Sequence, residues 1–580
     1  MPYLTTVDST HSGVLEEPST ISTAPAAPIA PSTSRSKTRT ASNSPESSSS
    51  TVSEEESATT LHEAEPASSA TVVEKKEGKE GDLEKGVSEE KERYYSKEDG
   101  SEIIVVEWKG RDDPANPLNW SNARRMTSTF IVAAFTLLAP LSSSAISPAA
   151  PQVGRNLGIK SEVELSMVTS IFVLAFAIGP LFLAPASELW GRVRVLQLAN
   201  VFYIIFNLVC AFATTKGQFI AFRFLAGLGG GAPLAIGAGV LSDLWRPEER
   251  GRAAALYSLG PLLGPAIGPV FGAWVVEKLP NDGYKWIFYS TTIFSALVQG
   301  VGLFLLRETY HPVLLEQQAS KLKKSMNLPK TSDKVQTIFE VKAGGKKSAK
   351  EVFIRGMSRP FVMFYHEPIL QVQALYMALL YGIIYLMLVS TTGIFQNVFN
   401  QSVGIAGTNF VAMGLGFFAA SQGGARLLDV MYRKLKARYG TEGKPEYRLP
   451  FQFPAAILMP LGLLMYGWGA ERKVHWLLVD FGMGIVAFSM ILIFQSTQMY
   501  LIDCFTLFSA SAIAATVCSR SLLGFALPLA APSLFQSLGY GWGCTLLAGL
   551  SILISWPMIP VLWFYGERIR MRSKFARKNN

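Results

Sequence analysis

The sequence is short of charge. Only 17% of its 580 residues are Asp, Glu, Lys or Arg, against about 25% in an average soluble domain. Cysteine is scarce too. Cys210, Cys504, Cys518 and Cys544 lie in or beside apolar stretches without CxxC spacing, which excludes a disulfide scaffold or a thiolate metal site and leaves them as packing residues. The five histidines show no paired metal spacing. No GxxxxGK[ST] loop occurs, so ATP-driven work is not expected. Glycine-rich matches such as GLGGGAPLAIGAG lie inside apolar runs rather than after a strand, so they are not nucleotide loops. No enzyme motif remains, and neither catalysis nor a cofactor is expected. The first residues lack the basic patch and apolar run of a signal peptide, so insertion is expected to rely on the first membrane helix. The net charge of +9 does not point to nucleic acid, because the basic residues fall at the ends of apolar segments.

What is present is apolar length. Residues 1–110 are rich in Ser, Thr, Pro, Glu and Lys and could not bury enough surface to offset their ordering entropy, so a disordered cytoplasmic tail is expected. Twelve apolar segments follow, near 128–148, 163–187, 195–214, 218–241, 253–276, 284–306, 368–392, 404–425, 450–470, 475–499, 508–535 and 542–565. The class is an all-α integral membrane protein of twelve transmembrane helices. The layout is a six-helix bundle over 111–306, a Lys-rich cytoplasmic loop over 307–366, a second six-helix bundle over 367–566 and a basic cytoplasmic tail over 567–580. Lys and Arg gather in the loops on the side of the termini, which puts both termini in the cytoplasm. In the opposite loops, Asn400-Gln401-Ser402 is the candidate glycosylation sequon.

Two further patterns suggest mechanism. Equivalent loops of the two halves place an acid four residues before an arginine, Glu188 before Arg192 and Asp429 before Arg433. Each pair is a candidate latch between helices. In LYSLGPLLGPAIGPVFGAW, Gly260, Gly264, Gly268 and Gly272 recur every four residues beside Pro261, Pro265 and Pro269. That spacing makes a stripe of small residues, along which helix backbones approach closely in lipid.

These stretches resemble the major facilitator superfamily, and within it the fungal drug:proton antiporters of twelve helices. SELWGRVRV is similar to the family's loop motif between helices 2 and 3, with Ala184 where glycine is usual. FRFLAGLGGGAPLAIGAGVLSDLW resembles its fourth helix, with Arg223 as the intramembrane arginine. LGPLLGPAIGPVFGAW matches its antiporter motif, and DDPANPLNWS, PEYRLP and the stretch from Tyr500 to Gly543 resemble the fungal subgroup. The resemblance implies the major facilitator fold and export of small organic molecules in exchange for protons, with the proton gradient as the energy source. It also implies that the glycine stripe lines the interface that must slide and seal.

Ionisable groups within a bilayer are expensive and therefore functional candidates. Arg223, Asp243 and Asp480 are the candidates for a proton or charge pathway. Asp503 and Arg520 are a further candidate pair at an inner gate. Gln373, Tyr376, Tyr381, Tyr385, Gln495 and Gln498 are the candidate substrate-cavity residues, because amides and phenols orient a ligand while rings grip its apolar part. No carboxylate stands mid-bundle in segments 1, 2, 7 or 8, which weighs against a strongly cationic substrate such as a polyamine. The expected partners are a small-molecule substrate, protons and the lipid bilayer, and a monomer in the plasma membrane is expected, with the vacuolar membrane as the alternative. A proton-coupled importer or polyamine transporter of the same fold, and a non-transporting membrane sensor, are the competing readings.

Overall fold

The computed structural model describes residues 93–95, 102–110, 112–246, 249–329, 332–343, 345, 348–440 and 443–576. The tail expected over 1–110 therefore lies largely outside the described residues. Its last part differs from expectation. Glu102–Val106 forms a strand, antiparallel to Arg93–Tyr95 and parallel to Val335–Thr337. The cause is local: Ile103, Ile104, Val105 and Val106 are β-branched and favour an extended, half-buried surface.

Eleven helices among the described residues are long and apolar enough to cross a membrane. The last, Thr506–Arg572, has 67 residues, or about 100 Å at the α-helical rise, far beyond a hydrocarbon core of about 30 Å. It is two helices. Gly539 (φ 72°, ψ 173°) interrupts it, and the Glu471 carboxylate sits where a Gly539 side chain would go and accepts from the Tyr540 amide at 2.8 Å. An acid against a helix N-terminus satisfies orphan donors and the helix dipole together. Twelve crossings result. α1 is Asn122–Ala145, α2 Glu162–Trp190, α3 Arg192–Cys210, α4 Lys216–Leu244, α5 Arg250–Lys278 and α6 Gly283–Leu305. α7 is Pro368–Phe399, α8 Phe410–Tyr439, α9 Gln452–Glu471 and α10 Trp476–Cys504. α11 and α12 are 509–538 and 540–572.

The outer faces carry the apolar side chains that lipid requires: Phe304 is 85% exposed, Phe564 72% and Leu198 71%. The segment over 307–366, expected to be a loop, holds helices His311–Ser325, Ile338–Lys342 and Ala349–His366. The last of these packs against α2 and the helix pair α11–α12, with Arg359 5.5 Å from the Phe508 ring just before α11. Its Gly356 lies against Pro185, and its exposed apolar residues, Ile354, Phe361 and Tyr365 among them, suit a helix lying along a membrane surface.

The bundle has a near end, where the described chain enters α1 and leaves α12, and a far end. Contacts between the two six-helix halves gather toward the far end. Trp274 Nε1 donates to Thr408 Oγ1 at 3.1 Å, Gln536 Nε2 to Glu162 Oε2 at 2.6 Å, and the Ser147 hydroxyl to the Leu388 carbonyl. Between α5 and the chain leading into α8, Ala266 and Ala273 face Gly414 and Gly407. The far end is closed.

The glycine stripe sits elsewhere than expected. A side chain on Gly260 would meet the Leu137 amide at 2.9 Å, and one on Gly264 the Pro140 Cβ at 2.6 Å and the Leu141 amide at 2.7 Å; Gly268 and Gly272 face Leu141, Ser144 and Ala145. All four glycines are pressed on α1, within the first half. The interface between halves uses the neighbouring face of α5, that of Ala266, Pro269 and Ala273. A repeat of four marks a close contact but not which helix makes it. Pro261, Pro265 and Pro269 all lie inside an unbroken α5.

Candidate functional site

Arg223 is fully buried in α4. Its guanidinium donates to three carbonyls: Nε to Val168 at 3.3 Å, Nη1 to Ser142 at 3.2 Å and Nη2 to Ser143 at 3.3 Å. Ser142 and Ser143 lie in the last turn of α1, whose carbonyls lack helical donors. The ring of Phe172 covers the guanidinium at 4.6 Å. Arg223 thus holds α1, α2 and α4 together through its charge, and no carboxylate among the described residues is paired with it.

From Arg223 a line of polar contacts crosses to the second half. The Ser143 hydroxyl lies 3.1 Å from the Tyr385 hydroxyl of α7. The Tyr385 ring lies 5.0 Å from that of Tyr381, and the Arg520 guanidinium of α11 stands 5.1 Å from the Tyr381 ring and 5.2 Å from that of Phe494. Arg520, Phe494 and Gln498 line a narrow cleft with Met377, Thr497 and Thr516. The cleft lies between α7, α10 and α11. Two arginines, two tyrosines and a serine therefore meet where the halves touch.

Of the other expected cavity residues, three turn inward. Gln373 accepts from Thr497 at 2.9 Å within the second half. Tyr376 is fully buried, facing Ser551 and Ser555 of α12. Gln495 donates to the Ser421 carbonyl of α8 at 3.3 Å. Gln373 and Gln495 hydrogen-bond with neighbouring helices through one end of each amide, while Gln373 Nε2 and Gln495 Oε1 find no partner among the described residues.

The expected i,i+4 ion pairs are replaced by others. Glu188 is exposed, while Arg192 bonds Asp243 at 3.4 Å and Ser187 at 3.0 Å and lies against the Tyr310 ring. Among the described residues Arg433 reaches only the backbone carbonyl of Asp429. The Asp429 and Asp503 carboxylates both accept from Arg448, each at 3.1 Å, so Asp503 does not pair with Arg520. Arg520 begins eleven residues beyond the start of α11, about 16 Å deeper along the helix. The two halves do repeat, through a different pair. In each, an arginine at the entry to the third helix (Arg192, Arg448) bonds an acid at the near end of the fourth (Asp243, Asp503). Arg448 was in view in PEYRLP, but its partners are distant in sequence and no spacing rule finds them.

Glu308 was also missed. Its carboxylate accepts from the amides of Arg192 at 2.9 Å and Val193 at 3.3 Å, capping α3, and it occupies the space beside Gly191 (φ +100°). Tyr310 completes this cluster, and burial pushes its phenol up to about 12, so its ring stays neutral against Arg192. Gly191→Ala is expected to break the cluster. It would force an alanine into a glycine-only backbone region at about 1–3 kcal/mol and displace Glu308. A thermal-unfolding midpoint unchanged from the parent would refute this.

Asp480 is buried one turn into α10, and its Oδ1 has no hydrogen-bond partner among the described residues. The other buried carboxylates, Glu367 and Glu446, lie at the near end, bonded to Ser573 and Arg570. Asn400, exposed at the far end, caps α7 in the left-handed conformation (φ 53°).

The chain is 41% identical over 496 residues to the efflux pump vrtL of Penicillium aethiopicum, covering 86% of this chain and 96% of that protein. It is 37% identical over 489 residues to the efflux pump radE of Floropilus chiversii, covering 83% and 88%. Its backbone resembles the xylose transporter XylE of E. coli in a partially occluded inward-open conformation, with TM-score 0.57 and 14% identity over 77% of this chain and 98% of that one. The Major Facilitator Superfamily profile matches residues 132–528; with twelve crossings in two halves meeting at a polar midplane, the chain belongs to that superfamily.

Proposed function

We propose that this chain is a proton-coupled efflux transporter, which exports a small organic molecule (a secondary metabolite, toxin or drug) by alternating access between its two halves. The observation that carries this reading is the meeting of Arg223, Tyr385, Tyr381 and Arg520 between halves that are sealed at the far end. A ligand entering from the near end would bind there, and rocking of the halves would open the far end. Two relatives named efflux pumps, vrtL and radE, support outward transport. The same reading places the near end in the cytoplasm, consistent with Arg124, Arg192, Arg194, Arg433 and Lys434 on that side. It places the protein in the plasma membrane as a monomer.

Proteoliposomes holding the full chain and loaded with dye or metabolite provide the test. Transport should quicken several-fold when a pH gradient is imposed. Equal rates with and without the gradient would exclude antiport, and accumulation by intact expressing cells would make the chain an importer. The proton is assigned to Asp480, a carboxyl group held away from water. Asp480→Asn is expected to keep substrate exchange while losing at least about tenfold of gradient-driven transport, roughly 1.4 kcal/mol; gradient-driven transport at the parent rate would remove Asp480 from coupling.

A further inference from the structure

Arg520 stands about 16 Å into α11 by helical rise, and no carboxylate among the described residues is paired with it. Its Nε finds no hydrogen-bond acceptor. The acid expected to pair with it, Asp503, is bonded to Arg448. The other polar residues that line the cleft, Thr497, Gln498 and Thr516, are uncharged. On the other side of the line through Ser143 and Tyr385, Arg223 is bonded only to carbonyls. The one buried carboxylate inside α1–α12 among the described residues is Asp480, near the far end. The Arg223 charge is thus met by carbonyls within the first half, whereas Arg520 stands in its cleft with no paired carboxylate among the described residues.

The surroundings of Arg520 are those of a binding group rather than of a packed one. Tyr381 and Phe494 flank its guanidinium at 5.1 and 5.2 Å. That arrangement steadies the planar group, while its Nε–H is left without an acceptor among the described residues. A guanidinium edge matches a carboxylate, whose two oxygens accept two parallel hydrogen bonds. The Phe494 ring, with Met377 and Val517, offers an apolar wall beside the charge.

We propose that Arg520 is an anion-recognition residue, and that the substrate is an amphipathic aromatic acid carrying a carboxylate or an equally acidic group. The proposal rests on the transport reading above and names its substrate class. The carboxylate docks on Arg520, the ring system lies against Tyr381 and Phe494, and Gln498 is placed to bond a further polar group. Cationic amphiphiles are repelled by the same field.

The test compares dansylglycine with dansylglycinamide, which differ only in carboxylate against carboxamide. Binding to the full chain in detergent is read by dansyl fluorescence, and movement by counterflow in proteoliposomes. The parent protein is expected to favour the acid by at least tenfold in binding. In Arg520→Gln the ratio should fall toward one, while Arg520→Lys, which keeps charge but loses the fork, should retain part of it. Equal binding of both probes by the parent, binding of neither, or an undiminished ratio in monodisperse Arg520→Gln would overturn the proposal. The parent comparison needs no variant, so a misfolded substitution does not weaken it. Selective binding of the acid without counterflow would leave the anion site standing and sink the transport reading. Counterflow of both probes alike would do the reverse.

Discussion

Arg223→Ala is expected to reduce transport to background, a loss of at least about 100-fold or roughly 2.7 kcal/mol of transition-state stabilisation, while protein still reaches the membrane. The guanidinium spreads three donors over three carbonyls of α1 and α2, and α1 carries Ser143, whose hydroxyl touches Tyr385 of the other half. Removing it unties the helix that bears this cross-contact and deletes one of the two charges at the midplane. Truncation also strands carbonyls in the last turn of α1, at about 1–3 kcal/mol for each left unsatisfied. Arg223→Lys separates the two effects. It retains a cation beside the α1 terminus, favourable to the helix dipole, but a single ammonium cannot span three acceptors set around a planar fork. Lys at 223 should therefore fold like the parent yet stay below about a tenth of its transport. Surface expression and size-exclusion profiles report folding; vesicle uptake reports function. Normal uptake by Arg223→Ala would take the residue out of the mechanism.

Gly264→Leu is expected to deplete folded protein rather than give a folded but idle one. A bare Cβ at 264 already falls 2.6 Å from Pro140 Cβ and 2.7 Å from the Leu141 amide. One of these is backbone, the other a ring bonded to it, so neither can rotate aside. Overpacking of a well-packed core typically costs about 1–3 kcal/mol, and here the three further carbons of leucine meet a rigid neighbouring helix. Yield of monodisperse protein should fall by roughly tenfold, as expected of a loss above about 1.4 kcal/mol. Gly300→Ala on α6 is the control: nothing lies within 4 Å of its position, and alanine favours helix by up to about 1 kcal/mol. Parent-like yield of Gly264→Leu would mean that α1 and α5 can part, and that the stripe is a sliding surface after all.

The sequence made the crossings legible because a bilayer leaves few options. Each segment must be long, apolar and internally bonded, and the twelve expected runs overlie α1–α12. The arginine in α4 was equally visible, since a charge in an apolar run stands out. What stayed hidden depended on neighbours. The face of α5 that meets α8 lies one to two residues round the helix from the face that meets α1, about 100–200°, and glycine spacing is silent on the difference. Asp429 stands four residues from Arg433, yet its carboxylate goes to Arg448, which lies between α8 and α9. Gln373 and Gln498 look alike as amides in apolar helices; only the presence of Thr497 beside the first turns it into a structural group. The strand at Glu102–Val106 was lost in the low-complexity composition of the residues before it, although four of its five residues are β-branched.

The far-end closure between α5 and the chain leading into α8 packs Ala266 and Ala273 on Gly414 and Gly407, with hydrogen bonds from Trp274 to Thr408 and from the Gly404 amide to the Glu277 carboxylate beside them. Parting such surfaces wets methyl groups, and apolar exposure of this kind carries a positive heat-capacity change. Attraction of this kind weakens on cooling. The balance between closed and open far ends should therefore depend on temperature with curvature, and cold should loosen the closure where a lock of salt bridges would have tightened or stayed unchanged.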